Sequence, residues 1–273
     1  LERIINDKFS IATDVKLLWR GPESFKTIFE SIREAKELIC LAFYIFRNDE
    51  TGRALAEILK EKSRQGVNVY VLYDHFGSLG TPRSFWNDMR SAGVKISSSR
   101  PFQWKNPFRY VHRDHRKLII IDSLKAFTGG LNIANEYSGF HIKSREKNWR
   151  DTGIMLTGPI VKKLFKNFEK SWNQWGGEKI KYHERYQGDK FESKDVKAPL
   201  DDIWKVKGGY LSIPIFAGSS KGRRMLRRLF YYSINRAKSD ICLTTAYFIP
   251  SKRMIETLIE AVKRGVRVRL LVP

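Results

Sequence analysis

HRDHRKLIIIDSLKAFTGGLNIANEY, residues 112–137, is the stretch that decides the architecture. Residues 118–121 form an unbroken apolar run of leucine and isoleucine, bounded by charge on both sides, which predicts a buried strand. Side chains alternate across a strand, so His115 and Lys117 are expected on one face and Arg116 on the other. Asp122 closes this strand, residues 123–125 suit a tight turn, and a second strand runs on to Thr128. Gly129 and Gly130 then free the backbone to approach a ligand closely, and Asn132 presents an amide donor. An imidazole beside an ammonium at the rim of a buried sheet suits a phosphate. One group attacks or transfers a proton; the other neutralises oxygen charge.

The flanking sequence alternates helices with strands. Residues 21–36 predict a helix with Pro22 near its start and Phe25, Ile28, Phe29 and Ile32 on one face. A short helix is expected over 84–92. Over 159–175, Val161, Leu164, Phe165, Phe168, Trp172 and Trp175 form a long apolar stripe, expected in the core. The fold class is therefore α/β, a mixed β-sheet flanked by helices.

An internal repeat extends this reading. SIREAKELICLAFYIF (31–46) and SINRAKSDICLTTAYFI (233–249) share Ser, Ile, Ala, Lys, Ile, Cys and Leu in register. Each leads into an amphipathic helix, 52–65 or 252–264, with Leu55, Ile58 and Leu59 or Ile255, Leu258, Ile259 and Val262 on the buried face. A glycine, Gly66 or Gly265, and a strand follow, VNVYVLYD or VRVRLLVP. Cys40 and Cys242 hold equivalent places and are expected as buried free thiols. The chain is thus read as a first lobe over 1–176, a charged linker over 177–222, and an incomplete second copy of the lobe over 223–273. Its ends, Leu1 and Pro273, suggest a piece of a longer polypeptide.

Composition narrows the partners. Lys and Arg number 51 against 29 Asp and Glu, a net charge of +22 over 273 residues. A hydrophobic content of 42% argues for a folded core despite that charge. The longest apolar stretch, nine residues over 38–46, is too short to span a bilayer. The opening LERIINDKFS has no apolar run of a signal peptide, and two cysteines make no disulfide framework. The charge calls for an anionic partner: nucleic acid, an acidic membrane surface or a phosphorylated substrate.

The pattern His115-x-Lys117-x4-Asp122, followed by Gly129-Gly130-x-Asn132, resembles the signature of the phospholipase D superfamily. With YIFRNDETGRALAEIL, VNVYVLYDHFGS and NWRDTGIMLTGP around it, the chain resembles the first half of the bacterial cardiolipin synthases, over about 10–176 and again from about 223. The resemblance implies a phospholipase D-like lobe and a phosphatidyltransferase. A phosphatidyl group would pass from one phosphatidylglycerol to a histidine and then to a second phosphatidylglycerol, with no metal and no cofactor. His115 would be the nucleophile forming a phosphohistidine, or else the acid that protonates the leaving alcohol. Lys117 and Asn132 would hold phosphoryl oxygens near Gly129 and Gly130, Asp122 would support the motif's geometry, and Asp151 would orient the histidine. It also implies a peripheral position on the bacterial cell membrane, any spanning helices lying before Leu1.

One departure stands out: the family's site takes a histidine from each of two motifs, and this chain has one. His141-x-Lys143 has Asn148 in place of the aspartate and a polar run in place of the strand, so it reads as a surface loop. The second motif is expected past Pro273, and the isolated chain is expected to be inactive unless two copies pair their His115 residues across a two-fold axis. Other readings use the same residues: a phospholipase D or nucleic-acid phosphodiesterase with water as acceptor, or a non-catalytic basic module. The extended resemblance favours phospholipid over nucleic acid. His112 and His115 could suggest a metal, but a strand turns them to opposite faces. Residues 100–110 interleave bases with aromatics, suited to a lipid headgroup, to stacked bases or to self-packing. Lys162, Lys163, Lys166 and Lys170 line the polar face of the 159–175 helix, where an anionic bilayer could lie.

Overall fold

A computed structural model describes residues 9–101, 113–139, 149–176, 178–181, 205–206 and 208–272. Residues 9–214 make one compact unit and residues from 215 onward another. In the first, β1 (Ser10–Ala12), β2 (Val15–Leu18) and α1 (Gly21–Arg33) precede β3 (Leu38–Phe43), α2 (Glu50–Arg64) and β4 (Asn68–Asp74). Next come α3 (Arg83–Ser91), β5 (Lys95–Ser99), β6 (Lys117–Ile121), β7 (Lys125–Gly129) and the single turn α4 (Asn135–Ser138). β8 (Gly153–Thr157), α5 (Ile160–Trp175), β9 (Lys205–Val206) and β10 (Gly209–Ser212) complete it.

A seven-stranded sheet in the order β2-β8-β7-β6-β3-β4-β5 carries the unit. β3, β4 and β5 run parallel and the remaining pairs antiparallel, the mixed sheet expected. β1, β10 and β9 form a small antiparallel sheet, so residues 205–212, inside the stretch read as linker, pair within this unit.

Alternation assigns the two faces. Ile39, Leu41 and Phe43 of β3, Val69 and Val71 of β4 and Ile119 and Ile121 of β6 pack with Phe25, Ile28, Phe29 and Ile32 of α1 and Leu55, Ile58 and Leu59 of α2. On the opposite face α5 covers β5 to β8, with Leu164, Phe165, Phe168 and Trp172 buried and Trp172 edge-on to Tyr70 at 5.1 Å. Each of these large side chains contributes about 2–3 kcal/mol by leaving water. Trp175, expected in the stripe, is only half-buried because the helix ends there.

The apolar run 38–46 is not all strand. β3 ends at Phe43; Tyr44 to Phe46 turn away, their backbone taken up by Ser78, Asn132 and Ile133. That departure forms one wall of the site. Asp49 then caps α2 by accepting from the Gly52 amide at 2.9 Å, and its other oxygen accepts from the Asn135 amide at 2.8 Å.

The second unit contains α6 (Ser220–Arg236), β11 (Asp240–Thr244), α7 (Lys252–Lys263) and β12 (Arg267–Leu271), with β11 and β12 parallel. Its order, helix, strand, helix, strand, is that of α1-β3-α2-β4. Ile234, Ile241, Leu258, Ala261 and Val266 form its core. Two expectations need correction here. Ile255, Ile259 and Val262 are about half exposed, leaving Leu258 as the buried member of the stripe. Cys242 is exposed while Cys40 is buried. Cys40 sits in a strand flanked by β4 and β6 and covered by α5, where burial pushes its thiol pKa up; Cys242 sits in a two-stranded sheet whose face is open among the described residues.

Candidate active site

The motif's position follows from one register. β6 pairs antiparallel with β3, Phe43 opposite Lys117, so the chain leaving β3 lies beside the chain entering β6. Tyr44 and His115 meet there. Their rings stack at 4.0 Å between centroids and 18° between planes. The Lys117 ammonium lies 5.6 Å from the Tyr44 ring centroid and donates to the His115 carbonyl oxygen at 2.8 Å. Arg116 points the other way: its guanidinium pairs with Asp114 and donates to Asn167 and Ser171 of α5. The alternation expected across 115–117 is thus present.

Burial lowers the pKa of both bases, by different balances of charge. Burial of the stacked ring, then Lys117, lowers the His115 pKa, with Arg113 adding to the effect and Asp74 and Asp114 opposing it. The residue as a whole remains exposed. Burial likewise lowers the Lys117 pKa, against the charges of Asp151 and Asp114.

Asp74, 1% exposed at the end of β4, accepts from the Phe76 and Gly77 amides at 3.0 and 3.1 Å and from the Asp114 amide at 3.3 Å. It holds the segment that carries His115. Neither Tyr44 nor Asp74 was singled out from sequence for this site. Their one available signal was position, each ending or following a buried parallel strand, where α/β folds place ligands.

Asp122 carries its role away from the rim. Its carboxylate accepts from the Lys36, Glu37 and Leu38 amides, each at 2.8 Å, tying the turn after β6 to the entry of β3. Asp122 and Ser123 both have left-handed φ, +51° and +57°, and the Leu124 amide closes the turn on Ile121 at 3.0 Å.

Gly129 and Gly130 admit the protein's own chain. A Cβ on Gly129 would lie 2.4 Å from the Thr152 carbonyl, and one on Gly130 would lie 1.7 Å from the Asp151 carboxylate. Asp151 is kept in place by the Thr152 amide at 2.7 Å. Its charge acts on Lys117, whereas the carboxylate charges acting on His115 are those of Asp74 and Asp114. Asn132 is buried at 3% exposure; it accepts from the Ile45 amide at 3.2 Å and donates to the Tyr137 hydroxyl at 2.8 Å. It thereby fixes the loop that presents Tyr44.

His112, His141, Lys143, Asn148 and nearly all of 100–110 lie outside the described residues. Among the described residues, no group of three His, Cys, Asp or Glu side chains is arranged to hold a metal ion.

The family model described as "Cardiolipin synthase, PLD-like domain" matches residues 28–172 and 231–273. Cardiolipin synthase A of Pseudomonas syringae is 34% identical over 260 residues, 95% of this chain and 50% of that protein. Cardiolipin synthase of Halalkalibacterium halodurans is 34% identical over 278 residues, 99% and 51% of the two chains. The chain spans about half the length of the curated relatives it matches. Among solved structures, phosphatidylserine synthase of Haemophilus influenzae superposes with a TM-score of 0.66 at 18% identity, covering 99% of this chain and 64% of that one, a likeness of fold.

Proposed function

The chain belongs to the family of cardiolipin synthase PLD-like domains, and we propose that it carries one half of a phosphatidyltransferase site centred on His115. The observation that carries this reading is the meeting of His115 and Lys117 on one aromatic ring at the sheet's rim. A neutral imidazole nitrogen attacks the phosphorus of one phosphatidylglycerol. The bond from phosphorus to the glycerol oxygen breaks, and glycerol leaves with a proton from an acid on the far side. The hydroxyl of a second phosphatidylglycerol then attacks the phosphohistidine, returns its proton to that group and releases His115 with cardiolipin. Two phosphatidylglycerols give one cardiolipin and one glycerol.

Lys117 neutralises the phosphoryl oxygens, with the second amide proton of Asn132 as a further donor, and Asp151 sustains the charge of Lys117. Asp122 supports the motif from behind. The far-side acid belongs to a second motif, in a second lobe opened by 223–273. The substrate is an anionic phospholipid at the bacterial membrane surface, approached peripherally. Among the described residues no helix is long and apolar enough to cross a membrane, and Lys162, Lys166 and Lys170 are on the outer face of α5.

The test uses the full-length polypeptide with vesicles of labelled phosphatidylglycerol and, separately, plasmid DNA. Cardiolipin and glycerol are expected, and His115→Ala is expected to abolish them while vesicle binding persists. Phosphatidic acid or nicked plasmid would make water the acceptor, and binding without turnover would make the chain a non-catalytic module; either result overturns the proposal.

A further inference from the structure

The Tyr44 ring bears on both groups assigned to the phosphate, and no sequence motif gave it a role. We propose that Tyr44 is a positioning residue, a platform that fixes the plane of the His115 imidazole and draws the Lys117 ammonium to the same side. This rests on the transferase reading above.

The geometry has a direct chemical consequence. The lone pair of an imidazole nitrogen lies in the ring plane, so stacking that covers a ring face leaves the nucleophilic edge open. With 18° between planes and 4.0 Å between centroids, the lone pair lies in a plane tilted 18° from that of the Tyr44 ring. Lys117 lies within cation–π reach of that ring, so imidazole and ammonium are indexed to one object. A reacting nitrogen held in this way has already given up the orientational freedom that transfer would otherwise have to remove.

The platform itself is held at three points. The Tyr44 carbonyl accepts from Ser78 Oγ at 3.2 Å, the Ile45 amide donates to Asn132 at 3.2 Å, and the Phe46 amide donates to Ser78 Oγ at 3.1 Å. Burial, then the charge of Asp74, raises the Tyr44 pKa, so the phenol stays protonated and adds no anion beside the imidazole. The charged groups acting on His115 are Lys117 from β6, Asp74 from the end of β4, and Asp114 and Arg113 from the segment between. Tyr44 supplies none of these charges. It supplies cover.

The test has two arms. In the 273-residue chain with labelled histidines, His115→Ala identifies one imidazole among five. Its proton resonances are expected upfield in the wild type and in Tyr44→Phe, with a titration midpoint below that of free histidine. In Tyr44→Leu they move back towards free histidine and the midpoint rises as the ring face is rewetted. In the full-length enzyme, Tyr44→Leu lowers kcat by about 100-fold with KM for phosphatidylglycerol little changed, and Tyr44→Phe recovers most of the loss. Unshifted wild-type resonances, or an undiminished kcat in Tyr44→Leu, overturn the platform, and the wild-type spectrum decides even if the leucine variant fails to fold. Shifted resonances in a protein that makes no cardiolipin support the platform and overturn the transferase reading.

Discussion

Gly129 and Gly130 are neighbours, yet substitution should separate them. Alanine at 129 would have to hold φ near +144° and would meet the Thr152 carbonyl and Gly153 Cα at 2.4 and 2.5 Å, backbone that cannot yield cheaply. Gly129→Ala should cost about 2–4 kcal/mol. Alanine at 130 meets the far end of the Asp151 side chain, which can rotate away. Gly130→Ala should therefore cost less than about 1 kcal/mol yet lower transfer about tenfold or more as the carboxylate leaves Lys117. Urea denaturation and the lipid transfer assay check the pair; full transfer in Gly130→Ala would contradict the placement of Asp151. Sequence alone read these glycines as room for a ligand. Whether the intruder is a ligand or the strand next door depends on pairing across the sheet, which local sequence does not contain. The same holds for Asp122, whose partner amides lie more than eighty residues earlier in the chain.

Arg116 joins the segment entering β6 to α5, and that junction is where an element-level prediction belongs. Burial alone would raise the Asp114 pKa, but the Arg116 guanidinium outweighs it and the folded-state value falls below the ordinary one. The pair's stabilisation is therefore whole above the unfolded carboxylate's pKa of about 3.9 and is lost as pH falls through the lower folded value. Arg116→Met should cost about 2–3 kcal/mol at pH 7, because a part-buried carboxylate loses its partner. The deficit should narrow near pH 4, where the orphaned Asp114 takes up a proton. Urea denaturation at both pH values tests this, and a deficit unchanged with pH would contradict it. The elements themselves were largely legible: the 159–175 stripe became Ile160–Trp175, and 118–121 became Lys117–Ile121, because their apolar periods match one buried face each. The end of β3 was not legible. Residues 44–46 are as apolar as those before them, and only hydrogen bonds from distant loops turn them out of the strand to bring Tyr44 over His115.

Across the whole chain, the excess of 22 positive charges sets a preference for anionic surfaces and does not by itself choose lipid over nucleic acid. The proposed choice of lipid rests on the family, matched over both 28–172 and 231–273, and the proposed chemistry on the rim of the first unit's sheet. The second unit shares the order of helices and strands but leaves Cys242 and much of its helix stripe open, so equivalence in sequence did not carry over to equivalence in burial. The central claim is covalent capture of a phosphatidyl group by His115. It is tested most directly by mixing the full-length polypeptide with phosphate-labelled phosphatidylglycerol, quenching in alkali and mapping the labelled peptide by mass spectrometry. Label on the peptide that carries His115, absent from His115→Ala, is the expected result; label confined to other peptides, with turnover intact in His115→Ala, would contradict it.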